Sequence, residues 1–209
     1  VRALPFSTTH PGLRRALAAR NYMEPTAVQA AVQDAEPNRD LLVSAQTGSG
    51  KTVAFGMALA RRLLGEAERF EAAGAPRALI VTPTRELALQ VHRELTWLFA
   101  ETGARITTCV GGMDPRRESH QLSHGTHIVV GTPGRLVDHL ERGALVLARL
   151  DAVVLDEADE MLDMGFREDL ERLLESAPAE RLTLLFSATI PNGIATLAKK
   201  FQKKALRIA

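Results

Sequence analysis

Short apolar runs rich in leucine and β-branched residues recur along the chain, separated by segments in which apolar residues stand three and four apart. The runs predict strands buried on both faces, at 41–45, 78–83, 105–111, 127–132, 152–157 and 183–189. The intervening segments predict amphipathic helices, most clearly at 51–64, 84–101, 135–143 and 167–177. Strands that alternate with helices predict an α/β domain with a mostly parallel sheet and helices on both faces.

Composition narrows the class of protein only slightly. The chain has 209 residues, 45% hydrophobic and 24% charged, which favours one large globular domain over a disordered or membrane-embedded chain. A cytoplasmic location is the default expectation, because no apolar stretch is long enough to cross a bilayer. The single cysteine, Cys109, excludes an internal disulfide and is expected to be a small core residue. The net charge of +1 means that any contact with nucleic acid is local.

The stretch "AQTGSGKT" follows the first predicted strand and precedes a predicted helix. Such a loop points backbone N–H groups at phosphates, with Lys51 reaching the β- and γ-phosphates and the Thr52 hydroxyl holding Mg²⁺. The candidate ATP-binding residues before them are Ala45, Gln46, Thr47, Gly48, Ser49 and Gly50. Ala45 stands where the general pattern has glycine. The alternative is a glycine-rich turn capped by a threonine, which the flanking strand and helix disfavour.

Two adjacent carboxylates, Asp156 and Glu157, end the predicted strand at 152–157. In phosphate-loop enzymes the first acid of such a pair holds Mg²⁺, and the second orients or deprotonates the attacking water. An acidic helix start is the simpler alternative, because carboxylates favour the first turn of a helix. The candidate catalytic residues are therefore Lys51, Thr52, Asp156 and Glu157, and the candidate metal ligands are Thr52 and Asp156.

The spelling of these motifs resembles that of the DEAD-box RNA helicases. "DEAD" stands at 156–159, and "AQTGSGKT" is similar to that family's phosphate loop. Four further stretches match family motifs in the family's order: "PTREL" at 83–87, "GG" at 111–112, "TPGR" at 132–135 and "SAT" at 187–189. The resemblance covers essentially the whole chain and implies a three-layer P-loop NTPase domain of RecA-like fold that uses ATP and Mg²⁺ and binds RNA.

Upstream, "NYMEPTAVQ" at 21–29 resembles the family's Q motif, and Phe6 matches its isolated upstream aromatic residue. The resemblance implies that Gln29 reads the adenine edge and that Tyr22 stacks on the ring. A carboxamide can donate to N7 of adenine and accept from its amino group, which favours ATP over GTP. Asn21 replaces the usual glycine and Ala27 a common proline, but asparagine tolerates the left-handed backbone.

The resemblance also implies an RNA-binding surface and a group of residues that couples nucleotide state to RNA binding. The RNA-binding candidates are Pro83, Thr84, Arg85, Gly111, Gly112, Thr132, Pro133, Gly134 and Arg135. They would hold the backbone of a single strand or a duplex end without reading sequence. Taken alone, each of these motifs is as easily a turn or a helix start. Ser187 and Thr189 would bond Asp159 and link nucleotide state to RNA binding, or would cap a strand.

The resemblance divides the chain into a Q-motif region, 1–35, and the first RecA-like domain, 36–209. A second RecA-like domain of the same protein is an expected partner, and by itself this domain is expected to be nearly inactive. A related DNA helicase or translocase and an RNA clamp or scaffold are the alternative functions. The basic stretch "KKFQKK", Trp97 and the histidines at 92, 120, 124, 127 and 139 are expected to be solvated or packing residues.

Overall fold

A computed structural model describes residues 5–209 of the chain. The predicted Q-motif region begins at residue 1, so its first four residues lie outside this part. The strands in chain order are β1 (Leu41–Ser44), β2 (Ala78–Val81), β3 (Ile106–Cys109), β4 (Ile128–Gly131), β5 (Ala152–Leu155), β6 (Leu182–Ser187) and β7 (Leu206–Ile208). They form one sheet in the order β3-β4-β2-β5-β6-β1-β7. Every neighbouring pair is parallel, which confirms the predicted α/β class.

Successive strand residues point into two separate apolar cores, one on each face of the sheet, because side chains alternate along a strand. In β2, for example, Ile80 packs into one core while Leu79 and Val81 pack into the other. Cys109 is fully buried in the second core, as predicted. A sheet covered on both faces explains why its strands have apolar residues at nearly every position.

Helices connect the strands and cover both faces of the sheet. Their bounds are α1 (Pro11–Ala19), α2 (Ala27–Asp34), α3 (Lys51–Leu64), α4 (Arg85–Leu98), α5 (Pro115–Ser123), α6 (Pro133–Glu141), α7 (Ala158–Asp163), α8 (Arg167–Ser176) and α9 (Asn192–Phe201). Helix α3 has the predicted bounds, while α1, α2, α5, α7, α9 and strand β7 were not predicted. None of the helices within residues 5–209 combines the length and apolar character needed to span a membrane.

The strand order divides the carboxyl edge of the sheet into two neighbouring parts. The strands β5, β6 and β1 are adjacent, and their carboxyl ends lead to the predicted acid pair, the "SAT" motif and the phosphate loop. The strands β3, β4 and β2 are also adjacent, and they lead to the "GG", "TPGR" and "PTREL" motifs. One sheet edge thus presents the nucleotide candidates beside the RNA candidates, as expected for ligands of parallel sheets.

Candidate functional site

The phosphate loop connects the buried strand β1 to the buried helix α3. Gly48 and Gly50 both adopt left-handed backbone conformations, with φ of 83° and 81°, which disfavour any residue with a side chain. A side chain at Gly50 would also overlap the amide of Gln29, which lies directly against the loop. The loop is therefore shaped by its glycines and covered by the segment around Gln29.

Lys51 lies at the start of α3 and contacts both acids of the predicted pair. Its Nζ is 3.1 Å from Oδ1 of Asp156 and 3.1 Å from Oε1 of Glu157. Burial lowers the pKa of Lys51, but attraction by the two carboxylates outweighs burial and holds the pKa above its ordinary value. The ammonium group is thus held by the acids across the loop.

The Asp156 carboxylate is completely buried. Burial raises its pKa to about 6, although the nearby Lys51 opposes the shift. Its Oδ1 is in ion-pair contact with Lys51, and within residues 5–209 neither carboxylate oxygen has a donor in full hydrogen-bond geometry. Thr52, also buried, supplies a hydroxyl on the next residue after Lys51. Unsatisfied carboxylate oxygens and a hydroxyl form a donor set that fits Mg²⁺.

Glu157 occupies the turn between β5 and α7 in an unusual conformation. Its φ of 54° and ψ of 51° place it in the left-handed region, which is rare for a residue with a long side chain. Such strain commonly collects at functional positions. The conformation directs the two neighbouring acids to the same Lys51 ammonium, although they are adjacent in the chain.

Gln29 forms a hydrogen-bond network that joins α2 to the phosphate loop. Its Oε1 accepts from the backbone N–H of Thr26 and its Nε2 donates to the carbonyl of Gly50, at 3.0 and 3.1 Å. The Thr26 hydroxyl donates to the carbonyl of Ser49 at 2.8 Å. Thr26 and Gln29 also form a reciprocal capping box at the start of α2. The amide predicted to read adenine is thus 1% exposed and engaged by the loop itself.

The aromatic residue of this segment, Tyr22, contacts α4. Its ring centroid is 5.5 Å from that of Trp97, over which the Arg20 guanidinium also lies at 4.6 Å. Tyr22 remains 39% exposed, so part of the ring is open to a ligand. Asn21 has a φ of 62°, which confirms that asparagine maintains the left-handed turn usually made by glycine. Trp97 is half-buried and packs against the core, and it supports Tyr22, a role that its helical spacing did not predict.

Asp159, Ser187 and Thr189 contact one another beside the phosphate loop. Asp159 accepts from the backbone N–H and the hydroxyl of Thr189, at 3.1 and 2.9 Å. The hydroxyl of Ser187 accepts from the backbone N–H of Asp159 and donates to the carbonyl of Thr189. Burial raises the pKa of Asp159, but these hydrogen bonds outweigh it and hold the pKa below its ordinary value. The contacts connect the loop after β6 to helix α7.

A small cavity of about 110 Å³ lies between these groups, lined by Ala45, Thr47, Lys51, Glu157, Asp159, Glu160 and Ala188. A larger cavity of about 590 Å³ lies at the opposite edge of the sheet, among the loop after α3 and the residues that precede β2, β4 and β5. The larger cavity contains none of the predicted site residues. The candidate site is therefore identified by its clustered ionisable groups and glycine-shaped loop, and not by cavity size.

Three helices begin next to one another at the other part of the sheet edge. They are α4, α5 and α6, and they follow the adjacent strands β2, β3 and β4. Helix amino termini carry unpaired N–H groups and a positive dipole end, which favour phosphate groups. Thr84 caps α4 through its hydroxyl, whereas the Thr132 hydroxyl makes no capping bond to α6. Three of the predicted motifs thus form one continuous surface.

Arginine side chains lie across this surface with different degrees of exposure. Arg85 is exposed, and its guanidinium lies so close to Gly112 that a side chain there would overlap it. Arg135 is much less accessible, with a side chain 14% exposed. Its Nη1 donates to Oε1 of Glu118 at 2.7 Å and to the carbonyl of Met113 at 3.0 Å. The two arginines that the motifs predict therefore have different surroundings.

Glu118, on α5, is a site residue that sequence reasoning missed. It is 4% exposed and accepts from the backbone N–H of Val110 at 2.9 Å, while His139 Nε2 lies 2.9 Å from its other oxygen. Nothing in "PRRESHQLS" distinguishes this glutamate from a solvated one. Cys109, Glu118 and His139 could offer donors to a metal, since these lie within 4.8 Å of one another. The Arg135 cation already occupies the carboxylate, and burial raises the pKa of the Cys109 thiol to about 12, so an ion-pair network is favoured.

Known proteins resemble this chain in sequence and in fold. The family model of the DEAD/DEAH box helicases matches residues 26–197. The DEAD-box ATP-dependent RNA helicase CshA of Geobacillus kaustophilus is 44% identical over 191 residues, which is 91% of this chain and 40% of that protein. The ATP-dependent RNA helicase DbpA of Bacillus subtilis is 44% identical over 190 residues, covering 90% of this chain and 38% of that protein.

A crystal structure of a DEAD box protein from the hyperthermophile Methanococcus jannaschii has a similar fold. The TM-score is 0.83 at 36% sequence identity, and the match covers 95% of this chain and 53% of that one. The likeness confirms the predicted three-layer RecA-like fold. The chain spans about 40% of the length of the curated relatives named above.

Proposed function

Because the chain belongs to the DEAD/DEAH box helicase family, we propose that it forms the ATP-binding half of an ATP-dependent RNA helicase. Its relatives are named ATP-dependent RNA helicases. The observation that carries the proposal is the pair of contacts from Lys51 to Asp156 and Glu157 behind a glycine-shaped loop. This arrangement brings a phosphate-binding cation and two acids together at the end of a parallel sheet, as nucleotide hydrolysis requires.

In this proposal the loop at 46–50 binds the phosphate chain through backbone N–H groups, and Lys51 leaves the carboxylates to reach the β- and γ-phosphates. Thr52 and Asp156 would hold Mg²⁺, which would supply positive charge to neutralise the phosphates. The unsatisfied oxygens of Asp156 support this assignment. Glu157, less buried than Asp156 and released when Lys51 moves, orients the attacking water or accepts its proton.

Gln29 and Tyr22 recognise adenine in the proposal, with Tyr22 offering a ring face and Gln29 an amide edge. The Gln29 amide bonds Thr26 and Gly50, both in or beside the site. Base recognition therefore requires Gln29 to share or exchange these bonds. The same contacts couple the base-binding segment to the phosphate loop, so occupancy of one affects the geometry of the other.

The RNA backbone is proposed to lie across the starts of α4, α5 and α6. The candidates on this surface are Thr84, Arg85, Gly111, Gly112, Thr132, Gly134 and Arg135, whereas Pro83 and Pro133 are buried and would only shape the starts of α4 and α6. Three converging helix amino termini and the exposed Arg85 give affinity for phosphates without reading sequence. The contacts among Asp159, Ser187 and Thr189 would transmit nucleotide state to RNA binding.

We propose that the Q-motif region, 1–35, and the RecA-like domain, 36–209, work with a second RecA-like domain of the same protein in the cytoplasm. An arginine from that domain would stabilise the transferring phosphate. The 209-residue chain by itself would bind ATP or ADP weakly and turn over little ATP, because those transition-state contacts are missing.

The decisive experiment measures ATP hydrolysis and strand displacement by the full-length protein with RNA and with DNA duplexes. We expect RNA to stimulate hydrolysis and ATP to drive separation of RNA strands. Preference for DNA duplexes would instead support a DNA helicase or translocase. ATP-dependent RNA binding without turnover would support an RNA clamp, and neither ATP nor RNA binding would contradict the proposal as a whole.

A further inference from the structure

Glu118 joins two of the motifs on the proposed RNA surface. Through one carboxylate oxygen it accepts from the Val110 backbone, immediately before the Gly111-Gly112 turn. Through the other it accepts from Arg135, at the start of α6. It is fully surrounded by protein, at 4% exposure, so these bonds are not in competition with bulk water. The carboxylate therefore fixes the distance between the loop after β3 and the helix after β4.

Arg135 completes a closed ring of contacts around that loop. The same Nη1 that bonds Glu118 also donates to the carbonyl of Met113, on the far side of the glycine pair. Val110 and Met113 bracket Gly111 and Gly112, so both ends of the turn are tied to one buried ion pair. Only 14% of the Arg135 side chain is accessible, which leaves little of its guanidinium for a phosphate.

His139, one turn after Arg135 on α6, also holds the carboxylate. Its ring is fully buried, and its Nε2 bonds the same Glu118 oxygen that Arg135 binds. Because an ionised carboxylate only accepts hydrogen bonds, Nε2 must carry a proton that points at Glu118. Three donors thus converge on one side chain and orient it, one from the loop after β3 and two from α6.

We infer that Glu118 is a positioning residue for RNA binding, and that Arg135 contributes by shaping the Gly111-Gly112 turn instead of contacting a phosphate. The inference rests on the proposed function, since it assigns roles within the proposed RNA surface. It separates Arg85, an exposed cation that binds the backbone directly, from Arg135, a largely covered cation that acts through the loop. Truncating one partner of such a buried charged pair is costly, because the other is left unpaired.

The test measures binding of a single-stranded RNA to the full-length protein with a non-hydrolysable ATP analogue over a range of salt concentrations. The logarithm of the binding constant falls linearly with the logarithm of the salt concentration. Removing one cation that pairs with a phosphate of a single strand reduces the slope of that line by about 0.7. We expect Arg85→Gln to weaken binding and reduce this slope. We expect Glu118→Gln and Arg135→Gln each to weaken binding about ten-fold while the slope stays unchanged.

The double variant Glu118→Gln with Arg135→Gln provides a second criterion. If both residues act through one ion pair, its affinity will equal that of either single variant and not the sum of two losses. Asp40→Asn is the matched control, because Asp40 is also buried and bonds two backbone N–H groups, those of Thr183 and Lys203, at the opposite edge of the sheet. It should lower the melting temperature without changing RNA affinity.

Unchanged or tighter RNA binding by Glu118→Gln, additive losses, or a reduced salt slope in Arg135→Gln would each overturn the inference while leaving the proposed function intact. Failure of the wild-type protein to bind RNA would overturn both. ADP binding and the melting temperature report whether each variant is folded. If Glu118→Gln does not fold, the salt slope of Arg135→Gln is a sufficient test of the inference, because it distinguishes a direct phosphate contact from an indirect effect.

Discussion

The Nζ of Lys51 lies 3.1 Å from Oδ1 of Asp156, and this ion pair occupies the space where the proposed phosphates and metal meet. The cation proposed to bind the γ-phosphate is thus bound by the carboxylate proposed to hold Mg²⁺. In the proposed complex this internal ion pair is replaced by two new ones, between Lys51 and the γ-phosphate and between Asp156 and Mg²⁺. The free energy of the internal pair is therefore subtracted from the affinity of the site.

Replacing Lys51 by alanine should weaken nucleotide binding and also destabilise the ligand-free protein. Asp156 and Glu157 would lose their shared cation, and removing one partner of a buried pair costs on the order of 3 kcal/mol. Chemical denaturation and titration with a fluorescent ADP would measure the two effects. Lys199→Ala, on the exposed face of α9, is the control and should change neither. A Lys51→Ala protein of wild-type stability would show that the ion pair contributes nothing.

The contribution of Asp156 to the free energy of unfolding should fall as the pH rises from about 4 to 6. Its pKa is about 6 in the folded protein and near 3.8 when unfolded, so in this window only the folded state holds the proton. The shift of about two units corresponds to roughly 3 kcal/mol, which is lost progressively as the carboxyl ionises and stays lost above pH 6. Lys51 does not titrate here, because its pKa lies above 10.5.

Chemical denaturation from pH 4 to 8 measures this effect by difference. Other carboxyls titrate in the same range, so the wild type is compared with Asp156→Asn, which has the same shape and no titration. The expected result is that the stability difference between them changes with pH below 6 and is constant above it. Parallel curves across the whole range would mean that Asp156 has an ordinary pKa.

Glu157→Gln should abolish turnover and preserve ATP binding in the full-length protein. The amide has the size of the carboxylate but cannot accept a proton, and loss of a general base typically costs about 10²- to 10⁴-fold in rate. Steady-state ATP hydrolysis and equilibrium binding of ATP measure the two properties separately. Glu175→Gln, an exposed residue on α8, controls for loss of charge. Wild-type turnover in Glu157→Gln would remove Glu157 from its proposed role.

Gln29→Ala should reduce both the stability of the phosphate loop and the preference for ATP over GTP. It removes the bonds to Thr26 and Gly50, and loss of a capping interaction costs about 1 kcal/mol. Competition of ATP and GTP against a fluorescent nucleotide measures the preference. Gln33→Ala, one turn later on α2, is the matched control. A protein that lost affinity for both nucleotides equally would show a purely structural role for Gln29.

Thr189→Val should separate ATP hydrolysis from strand displacement. Valine keeps the shape of threonine but removes the hydroxyl bond of 2.9 Å to Asp159, leaving only the backbone bond from residue 189. Hydrolysis should stay within about five-fold of wild type, since a single hydrogen bond contributes about 1 kcal/mol or less at an exposed site. Displacement of an RNA strand should fall further. Thr196→Val, on α9, is the control, and equal losses in both assays would argue against coupling.

Sequence patterns predicted the central architecture because a sheet buried on both faces requires apolar residues at nearly every strand position. Six of the seven strands described within residues 5–209 were recognised in this way. Two predicted strands extended beyond the ends of β2 and β5. The residues that follow these strands, Thr82 and Asp156, are buried although they are no longer part of the sheet. Strand β7 has only three residues, none fully buried, and its pairing with β1 leaves no periodic signal.

The contacts within the site were only partly accessible to sequence reasoning. The spelling of the motifs indicated that Asp159, Ser187 and Thr189 interact, and the structure brings them together. The sequence motifs gave no indication that Lys51 contacts both acids, or that Trp97 packs against Tyr22. Glu118 escaped notice because its burial depends on contacts from α6, a helix that is distant in the chain and lies beside α5 through the pairing of β3 with β4. Long-range packing of this kind has no local sequence signature.

The strand order has a consequence for synthesis of the chain. The strand β1, which carries the phosphate loop, pairs with β6 on one side and β7 on the other, and both come from the end of the domain. A ribosome that has produced β1 through β5 has therefore made a strand without a sheet neighbour and a loop without support. The strands β3, β4 and β2, which lead to the proposed RNA surface, can already pair at that stage. We therefore expect the proposed nucleotide site to be the last part of the domain to assemble during translation.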